Sequence, residues 1–84
     1  MPSVSIVIVN YNVRHFLSNC LDSIEKSITT GLQIETIVVD NHSIDGSVQA
    51  IKQKYPWVTL IENKENLGFG KANNQGFAIA RGQY

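Results

Sequence analysis

The sequence predicts an α/β fold, a three-layer sandwich on a parallel sheet. Two observations lead there. Three short runs rich in β-branched residues alternate with three segments whose apolar residues recur every three or four positions. Each β-branched run is followed by a loop of polar and small residues. A strand, helix, strand, helix, strand, helix order requires parallel pairing. Right-handed crossovers then restrict the layout, and the following holds if the strands run 3-2-1 in space. The first two helices would cover one face and the third the other. That third helix would lead to a fourth strand beside strand one, which residues 1–84 do not include.

Residues 4–9, VSIVIV, make the first strand, short and apolar as a strand covered on both faces should be. Asn10, Tyr11 and Asn12 break the pattern. Val13, Phe16, Leu17, Cys20, Leu21, Ile24 and Ile28 then share one helical face, opposite Arg14, Ser18, Asp22 and Glu25. Gly31 is the expected stop. Residues 34–39 form the second strand, ending at Asp40. Ser43 is the expected cap of the second helix, with Asp45 in its first turn and an apolar stripe of Ile44, Val48, Ile51 and Tyr55. Pro56 ends it. Residues 58–61 make a third strand and residues 63–70 a turn-rich loop. Phe69, Ala72, Gly76, Phe77 and Ala80 line one side of a third helix, which Gly82 should end. Trp57 should pack over a sheet edge.

Composition narrows the function classes. Seven basic and seven acidic residues cancel, which removes the electrostatic case for nucleic acid or an anionic membrane. No apolar run is long enough to span a bilayer, and the N-terminus has no basic region before an apolar core. Cys20 is the single cysteine, so no internal disulfide forms. It lies on the apolar helical stripe and reads as core rather than nucleophile. The expectation is a soluble cytoplasmic protein, or one at the cytoplasmic face of a membrane.

Ligands of open parallel sheets bind beyond the carboxyl ends of the strands. Three loops lie there. In the first, Asn10, Tyr11 and Asn12, free backbone groups and a stacking tyrosine suit a planar base; the same residues serve equally as a turn into a helix. In the second, residues 40–47, the Asp40 carboxylate can accept from a base N–H or a ribose hydroxyl. Asp40 and Asp45 could suggest a metal, but Asp45 suits helix capping and no third ligand is evident. His42 reads as an exposed loop residue, and His15, with no nearby Cys or Asp partner, as facing solvent. In the third, residues 66–76, glycines ahead of a helix allow close backbone approach to phosphate, with Lys71 adding charge. A glycine turn with a solvated Lys71 explains the same pattern. The dinucleotide fingerprint is excluded, because no glycine follows strand one, and no G-x-x-x-x-G-K-[ST] loop is present. Dehydrogenase and response-regulator readings are disfavoured, since neither a glycine fingerprint nor an acidic cluster follows strand one.

The string SIVIVNYN at residues 5–12, then CLDSI at 20–24, resembles the opening of family 2 glycosyltransferases. IVVDNHSIDGS at 37–47 resembles their second block, and NLGFGKANNQG at 66–76 with ARGQY at 80–84 their third. The third block looks most like bacterial rhamnosyltransferases. The resemblance implies a Rossmann-like nucleotide-diphospho-sugar transferase (GT-A) fold, truncated, with residues 1–84 its N-terminal nucleotide-binding part. It assigns base contact to Val9, Asn10, Tyr11 and Asp40, and a place beside the nucleotide to Gly68, Lys71 and Asn73, although many members have arginine where Asn73 stands. It implies a nucleotide diphosphate sugar as donor, a glycan or lipid-linked hydroxyl acceptor, and a role in cell-surface polysaccharide synthesis. It also implies a divalent cation, Mn or Mg, on an Asp-x-Asp motif, and a catalytic base; both lie beyond these residues. Residues 1–84 alone should therefore be inactive, and the bare edge of strand one should favour self-association. A non-catalytic nucleotide-binding or regulatory module is the alternative.

Overall fold

The computed structural model describes residues 4–12, 14–29, 31 and 33–81. The elements are β1 (Val4–Asn10), α1 (Arg14–Thr29), β2 (Ile34–Asp40), α2 (Ser47–Lys54), β3 (Thr59–Glu62) and α3 (Phe69–Ile79). All pairing is parallel, in the order β1-β2-β3, with Asn10 opposite Asp40 and Asp40 opposite Glu62. The layout matches the expected order. Val13 and Gly82 lie outside the described residues.

Strand alternation divides the core in two. Ile8, Val38 and Leu60, in register across the sheet, meet Leu17, Leu21 and Ile24 of α1, Ile51 of α2 and Tyr55 at its C-terminal end. On the other face Val7, Val9, Ile37, Val39 and Ile61 meet Ala72 of α3 and Ala80 at its C-terminal end. Gly76 lets α3 lie close on β1: a Cβ there would come within 2.3 Å of a Val7 methyl.

Four expectations need correction. Ser43 does not cap α2. The N-cap is Gly46, in the left-handed conformation at φ 84°, without a side-chain cap bond. The chain turns inward at residues 40–43 before the helix begins, so Ser43 bonds instead to the loop after β1. Ile44 therefore precedes α2 and is 83% exposed. Phe16 (67% exposed) and Phe69 (69%) sit in the first turns of α1 and α3, beyond the end of the sheet that covers later turns. Trp57 packs into the α1/α2 cluster, edge-on to Tyr55 at 5.9 Å, with its indole N–H donating to Glu25 of α1.

Candidate functional site

The three polar loops meet at the carboxyl end of the sheet. Asn10, Asp40 and Asn41 are buried there, although all three are polar. A buried polar group must be hydrogen-bonded, so their partners define the site.

Asp40 is only 2% exposed. Its Oδ1 accepts from Asn10 Nδ2 at 2.8 Å and its Oδ2 from the Ser43 amide at 2.8 Å. The carboxylate thus clasps the β1 end to the loop after β2. Ser43 Oγ strengthens the clasp by accepting from Asn10 Nδ2 at 3.1 Å and from the Asn12 amide at 2.9 Å. Asn12 returns the contact, its side-chain oxygen accepting from the Ile44 amide at 2.8 Å. Asn12 (φ 54°) and His42 (φ 69°) hold left-handed backbone within this clasp. Asn10 Oδ1 is buried and has no hydrogen-bond partner among the described residues. Tyr11, one residue on, is 49% exposed beside it.

Asp45 joins the starts of two helices. Its carboxylate accepts from the Arg14 amide at 3.0 Å and from the Ser47 amide at 3.1 Å, and also bonds the Ser47 hydroxyl. Burial pushes its pKa up, but the Ser47 and Arg14 hydrogen bonds outweigh this and hold it below the ordinary carboxylate value. The capping role read for Asp45 is thus served one residue before the N-cap, at two helices. Asn12, Arg14, His15, Phe16 and Asp45 line an open hollow of about 440 Å³ at this edge. His15 is exposed, and the fold brings it near Asp45, which sequence spacing could not show.

The third loop is held from the other side of β2. Asn41 Nδ2 donates to the Gly68 carbonyl at 3.3 Å, and Asn41 Oδ1 accepts from Asn63 Nδ2 at 2.9 Å. Asn63 and Gln75 exchange paired amide bonds of 2.8 and 2.9 Å. Gly68 stands at φ 83°, where glycine is needed, and its amide donates to Asn66 Oδ1 at 2.8 Å. Lys71 is exposed and Asn73 half-buried, both in α3. Val9 is half-buried in β1, its side chain in the α3-side core. Asn41, Asn63 and Gln75 were not singled out by sequence reasoning. The period-two alternation of β2 carries a signal for Asn41: Asp40 faces α1 and α2, so the next residue must face α3.

Residues 5–84 match the model of glycosyl transferase family 2. The chain belongs to that family. The family 2 chain is 38% identical over 85 residues to a poly(ribitol-phosphate) beta-glucosyltransferase of Bacillus spizizenii, covering 96% of this chain and 13% of that protein. It is 37% identical over 73 residues to the N-acetylglucosaminyl-diphospho-decaprenol L-rhamnosyltransferase of Mycobacterium tuberculosis, covering 87% and 23%. Its fold superposes with a TM-score of 0.78 and 27% identity on a mannosyltransferase of Pyrobaculum calidifontis, solved with GDP-Man and Mn2+, over 95% of this chain and 25% of that one. The family 2 chain thus spans between about an eighth and a quarter of these relatives, and its architecture is that of the GT-A fold.

Among the described residues no three His, Cys, Asp or Glu side chains gather to hold a metal. The two carboxylates nearest the site do not fit a cation: Asp40 is buried with both oxygens engaged, and Asp45 faces helix amides. No helix of the described residues is long and apolar enough to cross a membrane.

Proposed function

We propose that residues 1–84 are the N-terminal nucleotide-binding part of a glycosyltransferase that moves a sugar from a nucleotide diphosphate donor to a hydroxyl acceptor. One observation carries the reading. Residues of all three family blocks, Asn10, the Asp40–Asn41 pair and Gly68, are joined by hydrogen bonds at the carboxyl end of one parallel sheet. That is where open α/β sheets bind ligands.

In this reading Tyr11 stacks on the base, the Val9 backbone borders it, and Asn10 Oδ1 accepts a donor from its edge. Asp40, both of whose oxygens are engaged, acts on the base by orienting Asn10 and holding the loop after β2. Gly68, Lys71 and Asn73 lie toward the diphosphate. The mannosyltransferase holds Mn2+ with its donor; here the ligands of such a cation, and the catalytic base, would come from outside this segment, which alone would be inactive. The relatives' acceptors favour a glycan or lipid-linked acceptor in cell-surface polysaccharide synthesis on the cytoplasmic side. Strand β1 is an edge of the sheet. A further strand of the complete enzyme would cover it, and if left bare it would pair with a second copy.

Calorimetry on the complete enzyme with UDP, dTDP and GDP, in the presence of manganese, tests the reading. At least one should bind. Tyr11→Ala, at an exposed position, should weaken that binding about tenfold, since one stacked base is worth roughly 1–3 kcal/mol. Asp40→Ala should weaken it further. A folded enzyme that binds none of the three overturns the proposal.

A further inference from the structure

We infer that Asn41 is a positioning residue: its side-chain amide fixes the glycine loop ahead of α3 and thereby sets affinity for the donor's nucleoside diphosphate. The inference rests on the donor-site reading above and adds to it a residue and a route.

The argument begins with strand geometry. Successive residues of an extended chain point to opposite faces. Asp40 and Asn41 are successive at the end of the central strand. Asp40 reaches Asn10 and Ser43 on the α1/α2 side. Asn41 reaches Asn63, Gly68 and Leu67 on the α3 side. Its backbone is pinned as well, the Asn41 amide donating to the Asn10 carbonyl at 2.9 Å. One dipeptide therefore braces the loops on both sides of β2.

The brace acts where the loop has least support of its own. Gly68 is exposed, and a Cβ built on it would meet nothing within 4 Å. Gly68 therefore brings no side-chain packing of its own to that turn; its hydrogen bonds place it. The Gly68 carbonyl takes the first helical bond, from the Ala72 amide at 3.2 Å, and the Asn41 bond at 3.3 Å. The Leu67 amide reaches Asn41 Oδ1 at 3.5 Å. Asn41 thus engages a donor and an acceptor of the loop together, which only a carboxamide can do at this length. Asn63 and Gln75 lock the far side: Asn63 Nδ2 spends its two hydrogens on Asn41 and Gln75, so the orientation of the Asn41 amide is determined by the α3 helix. A loop free to shift by an ångström would present its amides and Lys71 poorly to a diphosphate.

The test compares Asn41→Ala and Gln75→Ala with Glu35→Ala in the complete enzyme. Glu35 lies at the opposite end of the sheet, where it accepts from Ser5 Oγ at 2.6 Å and the Arg81 amide at 2.8 Å. Its loss costs stability without touching the loop. The probes are UDP, dTDP and GDP with manganese, followed by calorimetry, with thermal unfolding and amide hydrogen exchange on the same samples. Asn41→Ala should raise Kd about tenfold and Gln75→Ala about threefold, and both should speed exchange at residues 67–72. Glu35→Ala should lower the melting temperature comparably while leaving Kd and loop exchange at the parent's values. If Asn41→Ala does not fold, Gln75→Ala decides alone. Unchanged Kd in a folded loop variant, or an equal loss in Glu35→Ala, overturns the role of Asn41. A parent that binds no nucleotide overturns instead the donor-site reading on which the role depends.

Discussion

On one face of the sheet, Leu17, Leu21, Ile51 and Tyr55 bring large side chains down onto Ile8, Val38 and Leu60. On the other, α3 brings chiefly Ala72 and the bare backbone of Gly76 onto Val7, Ile37 and Val39. The first face is filled by volume, with polar staples around it: Tyr55 Oη donates to Asp22 at 2.6 Å and the Trp57 indole to Glu25 at 3.0 Å. The second is closed by proximity. A helix of small residues lies nearer the strands, and its start is thereby drawn to the end of β2, where Asn41 can reach Gly68. The difference teaches that the α1/α2 face supplies most of the hydrophobic stabilisation, while the α3 face trades side-chain volume for the placement of a loop.

Three measurements test the unequal roles of the two faces. The largest effect is expected at Leu21, which is fully buried. Leu21→Ala should cost about 2–5 kcal/mol in denaturant unfolding of the complete enzyme, as truncation of a core leucine does when the cavity cannot collapse. A loss well below this would mean that the α1/α2 face is not the main store of stability.

Next comes Gly76. Adding a methyl group places a Cβ 2.3 Å from Val7 Cγ1, which forces α3 off the strand. Gly76→Ala should cost about 1–3 kcal/mol by overpacking, and nucleotide affinity should fall with it because the Gly68 loop moves with the helix. Trimming the opposing side chain in a Gly76→Ala, Val7→Ala double variant should restore much of the affinity. If affinity stays at the parent's value in Gly76→Ala, the closeness of α3 has nothing to do with the loop.

The smallest effect is expected at the polar staple. Tyr55→Phe removes the hydroxyl that bonds Asp22 and should cost about 1 kcal/mol at neutral pH. The Tyr55 hydrogen bond is the main cause that holds the Asp22 carboxyl below its ordinary value, with Lys54 adding to it. A carboxyl lowered in the folded state stabilises above its unfolded value, and that contribution is lost as pH falls through the folded value. The gap between parent and Tyr55→Phe should therefore be full above about pH 5 and shrink below about pH 4. A gap that widens in acid would contradict the assigned partner. Glu35, lowered first by the Arg81 amide and then by Ser5, should lose its contribution over the same acid range in both proteins.

Much of this was legible in the sequence. The β-branched runs, their spacing and the intervening helical stripes contained the parallel sheet and, given a 3-2-1 order, the two-sided covering, because those follow from periodicity and the handedness of crossovers. The glycine at 68 was readable as a turn, and its left-handed backbone is what a glycine there permits. The polar strand ends were readable as the ligand edge. Periodicity extended too far at the helix starts, however. Phe16, Ile44 and Phe69 carry the right spacing but stand past the sheet's end, where the described residues leave them largely exposed. A stripe reports which residues share a face, not where the neighbouring layer stops.

Only the tertiary structure decided who holds whom at the site. Ser43 looked like a cap because its local spacing fits one, yet it bonds across to Asn10 and Asn12, more than thirty positions away. Asn41, Asn63 and Gln75 looked like ordinary polar loop and helix residues, and became a network because parallel register sets the ends of β2 and β3 side by side, with the Asn63 amide bonded to the Asp40 carbonyl at 2.9 Å. The sequence by itself determined the layers, since hydrophobic periodicity is a local property that burial enforces along each segment. The partners of buried polar groups are a property of register and of helix approach, and these exist only once the strands have paired and α3 has settled on Val7 through Gly76.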